Sequence, residues 1–421
     1  MSHLRIGLCG TGNVGSAFID TIQNSSDLIN ANYGVDVSIS LIGSRSGKVN
    51  NSRNIEIVND IFDVPLSENV DIVVELMGGV DDPLKLARLA LENKKHFVTA
   101  NKALIAAHSK ELFSLAKKHN VHIGFEASVA GGIPIIRTIR DGLLSSKINS
   151  FAGILNGTSN FIFSRMSDDE LAFEKALLLA QKEGFAEPDP TFDISGQDAA
   201  QKTSILATLS FSMFTSMEKV FFDGIDKVTL QDINFGKQLN YVIKPVSLGL
   251  SSQNEIMLGS FPAFVKKDSL LASIQEENNA VLINTENAGG TMYSGPGAGA
   301  KPTANSVLTD VIDVAKNKVF NYEKFIKNSI NTDFEKFACD RYLKLIVEDK
   351  SGVVAKISTL LAEFNLSIDN LIQKELDKAA DDIPLVIVIS NSTEKIILKV
   401  ISKLEELKEV QSVSHIRILN I

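Results

Sequence analysis

The sequence predicts an α/β chain in three parts. A doubly wound parallel sheet opens it, a mixed α+β region follows, and a βαββαβ module closes it. Three observations carry this reading. Short apolar runs alternate with helical periodicity up to residue 125, glycine-rich texture continues to about residue 300, and residues 342–421 then change to a strand–helix–strand–strand–helix–strand order. A chain of 421 residues suits two or three domains at roughly 150 residues each.

Taken in order, residues 4–9 (LRIGLC) read as a short buried strand, and SAFIDTIQN after the glycines has helical periodicity. Further strands are expected at 35–42, 71–76 and 96–99, with a helix across 83–93. Such alternation gives a parallel sheet with right-handed crossovers. From Glu126 the pattern loosens. A helix is expected at 170–183, a long one from Asp198, short strands at Val246–Leu250 and Ile256–Leu258, and a helix near 303–318 that returns to pack on the first part. The lysine- and asparagine-containing stretch 319–341 reads as a linker. Beyond it, strands at 342–348, near 367–375, at 383–390 and at 412–420 frame a helix after Gly352 and another at 393–406. The boundaries expected are therefore 1–125, completed by the returning helix; 126–300; a linker at 319–341; and 342–421.

Composition narrows the function. Lys and Arg total 42 against 51 Asp and Glu, a net charge of −9 with no long basic run, which argues against nucleic acid as the main ligand and favours small molecules. Cys9 and Cys339 are the only cysteines, so neither a thiolate metal cluster nor a disulfide framework is expected. No stretch of about 20 uninterrupted apolar residues is present to span a membrane. Glycines arrive too early for a secretory leader, and the chain reads as cytoplasmic.

The first chemical motif is Gly10-Thr11-Gly12-Asn13-Val14-Gly15, placed between strand and helix. Gly10 permits the tight turn, Gly12 lets backbone approach a pyrophosphate, and Gly15 allows close helix packing, with the anion at the helix amino terminus. This is the dinucleotide fingerprint of a Rossmann-type domain. The second strand ends in Leu41-Ile42-Gly43-Ser44-Arg45, with no Asp or Glu to hold ribose hydroxyls. Arg45, assisted by Lys48, suits an added 2′-phosphate, so the loop leans toward NADP while leaving NAD open. Further on, Asp198 and Lys202 stand four apart on an expected helix and share a face. Glu187 precedes them in a Pro- and Gly-rich loop. An isolated Asp–Lys pair of this spacing is usually a surface ion pair; its setting in the longer motif described next gives it another meaning.

Together with the fingerprint, VTANKALIA at 98–106, FEASVAGGIPII at 125–136, GILNGTSNFIFSRM at 153–166, AQKEGFAEPDPTFDISGQDAAQK at 180–202 and GPGAGAKPTANSVLTD at 295–310 resemble the homoserine dehydrogenase family over about residues 4–318. The resemblance implies reversible oxidation of L-homoserine to L-aspartate 4-semialdehyde with NADP or NAD, on the route to threonine and methionine. It implies catalytic roles for Lys102, Lys202 and Asp198 and places Lys102 beside the cofactor as well; proton transfer is assigned here to Lys102 and substrate orientation with stabilisation of oxygen charge to Lys202, a division the sequence alone leaves open. It makes Glu187, Gly157 and Thr158 substrate-binding. It also implies a monovalent cation such as sodium, held by Glu126 and the carbonyls of Val129, Gly131 and Ile133; oxygen donors suit a hard cation.

VEDKSGVVAKISTLLAEFNLSIDNL at 347–371 resembles an ACT regulatory domain, with threonine as the implied effector and a homodimer or homotetramer as the implied assembly. Ser351 stands where the usual proline precedes the glycine. Two rival readings use the same parts: a reductase of another amino-acid semialdehyde, and a catalytically silent sensor of nucleotide and amino acid. Retention of Lys102, Glu187, Asp198 and Lys202 weighs against the sensor.

Overall fold

The computed structural model describes residues 2–45, 55–143, 145–252, 255–316, 321–323, 325, 332–373 and 382–421. By packing, the chain divides into two compact units, each assembled from three stretches: 1–151, 198–220 and 278–330 in one, and 152–197, 221–277 and 331–421 in the other.

The first unit is built on a six-stranded parallel sheet. Its strands are β1 (Ser2–Cys9), β2 (Val35–Gly43), β3 (Glu56–Val58), β4 (Ile72–Glu75), β5 (His96–Thr99) and β6 (Ile123–Gly124). They lie in the order β3-β2-β1-β4-β5-β6, the Rossmann order, with β1 between β2 and β4. Helix α1 (Asn13–Tyr33) follows β1 and stops at Gly34, whose left-handed conformation returns an N–H to the Asn30 carbonyl. Helices α2 (Asp81–Glu92) and α3 (Lys102–His119) follow β4 and β5. The short α4 (Ile135–Arg137) comes after β6.

Helix α10 (Ala300–Ala315) buries Ala304, Val307, Leu308, Val311, Ile312 and Ala315, a three-four spacing that makes one apolar stripe. The stripe shares a core with Phe18, Ile19 and Ile22 of α1 and with Ile6, Leu8, Ile72 and Val74 of the sheet. The unit also holds most of α8 (Gln197–Phe211) and the hairpin of β11 (Asn278–Thr285) with β12 (Gly289–Pro296). Strand β7 (Ile148–Ile154) straddles the division between units.

The second unit contains α5 (Gly157–Asp168), α6 (Phe173–Glu183), α7 (Thr191–Ile194), β8 (Phe221–Phe222), α9 (Leu230–Gln238), β9 (Tyr241–Ser252) and β10 (Glu255–Lys266). Its C-terminal portion runs β13 (Ala338–Glu348), α11 (Val353–Glu363), β14 (Ile368–Gln373), β15 (Asp382–Thr393), α12 (Glu394–Glu405) and β16 (Val410–Leu419). This is the βαββαβ order of the ACT fold, with an antiparallel sheet ordered β16-β13-β15-β14.

Strand alternation decides what each sheet face meets. Leu343, Leu345, Leu385, Ile387 and Ile389 pack under Val353, Ile357 and Leu361 of α11 and Ile397, Val400 and Leu404 of α12. The intervening Tyr342, Val386, Val388, Ile416 and Ile418 join Phe161, Phe163, Ile233, Ile243 and Phe264 in a second core. Both faces are covered, which is why PLVIVI is apolar without interruption. The sheet also continues past β16: Ala263–Val265 of β10 pair in parallel with Arg417–Leu419.

A buried charged cluster lies beside this junction. Glu394 accepts from Arg341 at 2.9 Å and from Arg417 at 2.5 and 3.1 Å, and Arg417 also reaches Asp223 at 2.9 Å while stacking near Phe221 and Phe261. Burial acts against the Glu394 charge, and the two guanidiniums overcome it, holding its carboxyl below the usual range. No helix among the described residues is long and apolar enough to cross a membrane.

Candidate active site

The glycine fingerprint has the geometry of a dinucleotide cradle. Gly10 adopts φ +103°, and a side chain there would meet the Leu76 carbonyl oxygen at 2.5 Å. A Cβ on Gly15 would come within 2.1 Å of the Gly10 oxygen, so helix and turn touch through backbone. At Gly12 an added Cβ meets nothing within 4 Å. Two glycines are thus required by contact inside the fold, and the third faces open space at the start of α1, where a pyrophosphate fits. Thr11, Asn13 and Val14 complete the turn, with the Ser16 hydroxyl bonding the Thr11 carbonyl.

Arg45 follows β2 and pairs with Asp82 in the first turn of α2 at 2.5 Å, both side chains largely exposed. A guanidinium has five donors, and this contact leaves others for a phosphate. Lys48 lies outside the described residues, as does part of the expected linker.

Lys102, Asp198 and Lys202 come together in the first unit. Asn101 caps α3 through its side-chain oxygen, which accepts from Leu104 N–H at 3.0 Å and sets Lys102 as the first helical residue. Asp198 sits in the first turn of α8, where the helix dipole favours a carboxylate. Its two oxygens are shared out: Oδ1 meets Lys102 Nζ at 2.6 Å and Oδ2 meets Lys202 Nζ at 2.7 Å. The carboxylate is 2% exposed, Lys202 12% and Lys102 37%, so Lys102 is the ammonium more open to an incoming molecule. Burial opposes ionisation of Asp198, but the ammoniums of Lys202 and Lys102 outweigh it and hold the carboxyl well below the usual range. Spacing along one helix foretold the Lys202 contact. The Lys102 contact, between residues far apart in sequence, had no local signal.

The residues expected to bind substrate lie in the second unit. Asn156 caps α5, accepting from Ser159 N–H at 2.8 Å and donating to Asp193 at 2.7 Å. Gly157 is required because a Cβ would lie 2.6 Å from the Glu277 carbonyl oxygen. The Thr158 hydroxyl donates to the Phe185 carbonyl, bringing it to the loop that carries Glu187. Glu187 is exposed, and Gln181 holds its backbone carbonyl at 3.2 Å. Asn156 and Asp193 are further polar residues here that the sequence reading passed over; an Asn before Gly-Thr-Ser is the N-cap signal that marks the first of them.

Around Glu126 the backbone folds tightly, with Ala130 and Gly131 at positive φ. Glu126 accepts from the N–H groups of Ile136 and Arg137, each at 2.8 Å, and its own N–H donates to Asp310 at 2.8 Å. The Gly131 carbonyl takes the Ser306 hydroxyl at 2.6 Å, and the Ile133 carbonyl takes the Ile135 N–H at 2.7 Å. Val129 is buried in the same turn. Burial and the neighbouring Asp310 both push the Glu126 carboxyl upward. Each carbonyl oxygen keeps a second lone pair, so the donor set suits a hard monovalent cation in chemistry. Among the described residues no group of three or more His, Cys, Asp or Glu side chains is placed to hold a metal.

Comparison with known proteins agrees in every part of the chain. Residues 10–126 match the family model described as homoserine dehydrogenase, NAD binding domain; residues 134–312 match homoserine dehydrogenase; and residues 341–407 match the ACT domain. The homoserine dehydrogenase of Helicobacter pylori is 39% identical over 411 residues, covering 97% of each chain, and that of Pseudomonas aeruginosa is 36% identical over 421 residues with the same coverage. Among solved structures, a homoserine dehydrogenase from Thiobacillus denitrificans superposes with a TM-score of 0.92 at 34% identity, covering 100% of this chain and 99% of its own. A hyperthermophilic archaeal homoserine dehydrogenase in complex with NADPH gives a TM-score of 0.65 at 28% identity, covering 76% of this chain and 99% of its own.

Proposed function

The chain belongs to the homoserine dehydrogenase family, and from that footing we propose how its own residues divide the work. The reaction is the NAD(P)-dependent interconversion of L-homoserine and L-aspartate 4-semialdehyde. When bound in the glycine cradle, the nicotinamide cofactor supplies or accepts the hydride.

In the reducing direction the Lys102 ammonium donates a proton to the aldehyde oxygen as that oxygen gains charge, and in the oxidising direction the amine takes it back. Lys202 stabilises the oxygen electrostatically. Asp198 holds both nitrogens and so fixes the distance between donor and stabiliser. Glu187 takes the substrate ammonium, and Gly157 and Thr158 are further substrate-binding residues. The observation that carries this reading is the buried Asp198 carboxylate bridging two lysines of unequal exposure.

Arg45, with Lys48, recognises the 2′-phosphate and gives NADP the advantage over NAD. A monovalent cation such as sodium binds Glu126 and the carbonyls of Val129, Gly131 and Ile133, where its role is to hold the turn. Residues 1–125 with the returning helix bind nucleotide, 126–300 bind substrate and dimerise, 319–341 link, and 342–421 regulate. Threonine is the effector, bound near Gly352; this residue adopts φ +91°, and its Cβ position is open. The assembly is a homodimer or homotetramer.

The test is initial-rate measurement at 340 nm with homoserine and either cofactor. Lys102→Met is expected to lower kcat by about 10²–10⁴-fold with little change in cofactor affinity. Lys202→Met is expected to lower kcat and raise the KM for homoserine together. A Lys102→Met enzyme with wild-type kcat would remove the proton-transfer assignment.

A further inference from the structure

Glu75 is the last residue of β4 and is fully buried. Three donors converge on it. Met77 N–H reaches Oε1 at 2.7 Å, Gly78 N–H reaches the same oxygen at 3.3 Å, and the Thr99 hydroxyl reaches Oε2 at 2.6 Å. An ionised carboxylate accepts all three without presenting a donor of its own, which a glutamine amide cannot do. Burial holds this carboxyl above the usual range, and the hydrogen bonds from Thr99, Met77 and Gly78 offset that only in part.

The contacts continue past Glu75 and close on themselves. Thr99 Oγ1 accepts from Asn101 N–H at 2.9 Å, and Asn101 Nδ2 donates to the Gly79 carbonyl at 2.7 Å, back in the turn that Glu75 holds. Asn101 Oδ1 meanwhile caps α3, whose first residue is Lys102. The turn is unusual in carrying two glycines in succession at positive φ, Gly78 at +93° and Gly79 at +76°. It also abuts the cofactor cradle, since it is the Leu76 carbonyl that leaves Gly10 no room for a side chain. A ring of hydrogen bonds therefore ties the loop after β4 to the loop after β5. Both loops lie at the carboxyl ends of parallel strands, the end where ligands bind in such sheets.

We infer that Glu75 is a positioning residue for the reaction: through Thr99 and Asn101 it locks the two loops together and sets the start of α3 so that Lys102 Nζ meets the reacting oxygen. The inference rests on the proton-transfer role proposed for Lys102. A buried carboxylate that served stability alone would be as well placed at the other end of the sheet. Here every link leads to the backbone that carries Lys102 or to the glycine turn.

The test is a double-mutant cycle on the full-length enzyme, measuring kcat, the KM for homoserine, NADPH binding by fluorescence, and melting temperature. Glu75→Gln is expected to lower kcat by about 10- to 100-fold, the scale of a misplaced catalytic group, while homoserine KM and NADPH affinity stay within about threefold. In a Lys102→Met background the same change is expected to lower the residual rate by less than about twofold, because the group it positions is gone. Equal losses in the two backgrounds, or an unchanged kcat for Glu75→Gln, would overturn the inference. If instead Lys102→Met alone leaves kcat intact, the fault lies with the role of Lys102.

Should Glu75→Gln not fold, Thr99→Val and Thr99→Ser carry the same cycle. The valine breaks the link between Glu75 and Asn101 and is expected to reproduce the kcat loss, whereas the serine keeps the hydroxyl and restores the rate. A serine variant as slow as the valine one would refute the ring as the agent.

Discussion

Replacing Asp198 by Asn tests the charge bridge at its centre. The amide has the size of the carboxylate but offers one acceptor oxygen where two ammoniums need one each, and turns an N–H₂ toward the other. Lys202 is 12% exposed, so stranding its charge belongs with breaking a buried ion pair, about 3–5 kcal/mol. Lys102, at 37% exposure, is screened by water and adds less than about 1 kcal/mol. For a folding unit of this size the loss corresponds to a fall in Tm of about 6–20 °C. With both nitrogens released, kcat is expected to drop by about 10²–10³-fold. Rates at 340 nm under saturating homoserine, together with thermal melts, measure both.

The same substitution has a pH signature. The carboxyl of Asp198 is depressed in the folded protein, so its stabilisation is fully present above the unfolded value of about 4 and is lost as pH falls through the lower folded value. The stability gap between wild type and Asp198→Asn should therefore begin to narrow below about pH 4 and keep narrowing as the pH falls further. A variant with kcat within twofold of wild type, or a stability gap that widens in acid, would refute the bridge as described.

Gly15→Ala would drive a methyl into the Gly10 carbonyl and is expected to weaken NADPH binding by at least about tenfold, measured by fluorescence titration, with a lowered Tm. Arg45→Ala is expected to cut kcat/KM for NADP by about 10–100-fold and to leave NAD nearly untouched; equal losses for both cofactors would exclude a phosphate contact. Glu394→Gln strands Arg341 and Arg417 in the buried cluster and should destabilise the second unit by about 3–5 kcal/mol, read from denaturant unfolding. Because the Glu394 carboxyl is depressed in the fold, that difference should shrink as pH drops below about 4.

Local patterns carried much of this architecture into the sequence. The fingerprint, four of the six strands of the parallel sheet (β1, β2, β4 and β5) and the βαββαβ order were legible because each is written in short-range spacing, whereas β3 and β6 are too short to leave a pattern. Helix α3 was not among the expected elements, although ALIAA and FSLA keep helical period. Helix α5 was not among the expected elements; Asn156 is its cap, and Gly157 is imposed by a carbonyl from residue 277. Strands β9 and β10 run twelve residues each but look short. Pro245 and Pro262 stand opposite one another within the pair, and proline ordinarily argues against a strand interior. In the active site, spacing put Asp198 and Lys202 on one helix face, and the long motif around them, not the spacing, marked them as functional. Glu75 did not: an acid at the end of an apolar strand has no local mark, and its meaning depends on loops that only the fold brings together.

The pairing of β10 with β16 also bears on how the protein is made. Ala263–Val265 leave the ribosome about 150 residues before Arg417–Leu419, their partners. At 5–20 residues per second the interval is about 8–30 s, during which that edge of an apolar strand stands open to any other chain. Lys266 and Lys267 directly follow it, and their charges discourage stray pairing at the open end. A chain truncated before β16 would keep every residue assigned to catalysis and still expose this edge, so its first symptom would be insolubility rather than a weak active site.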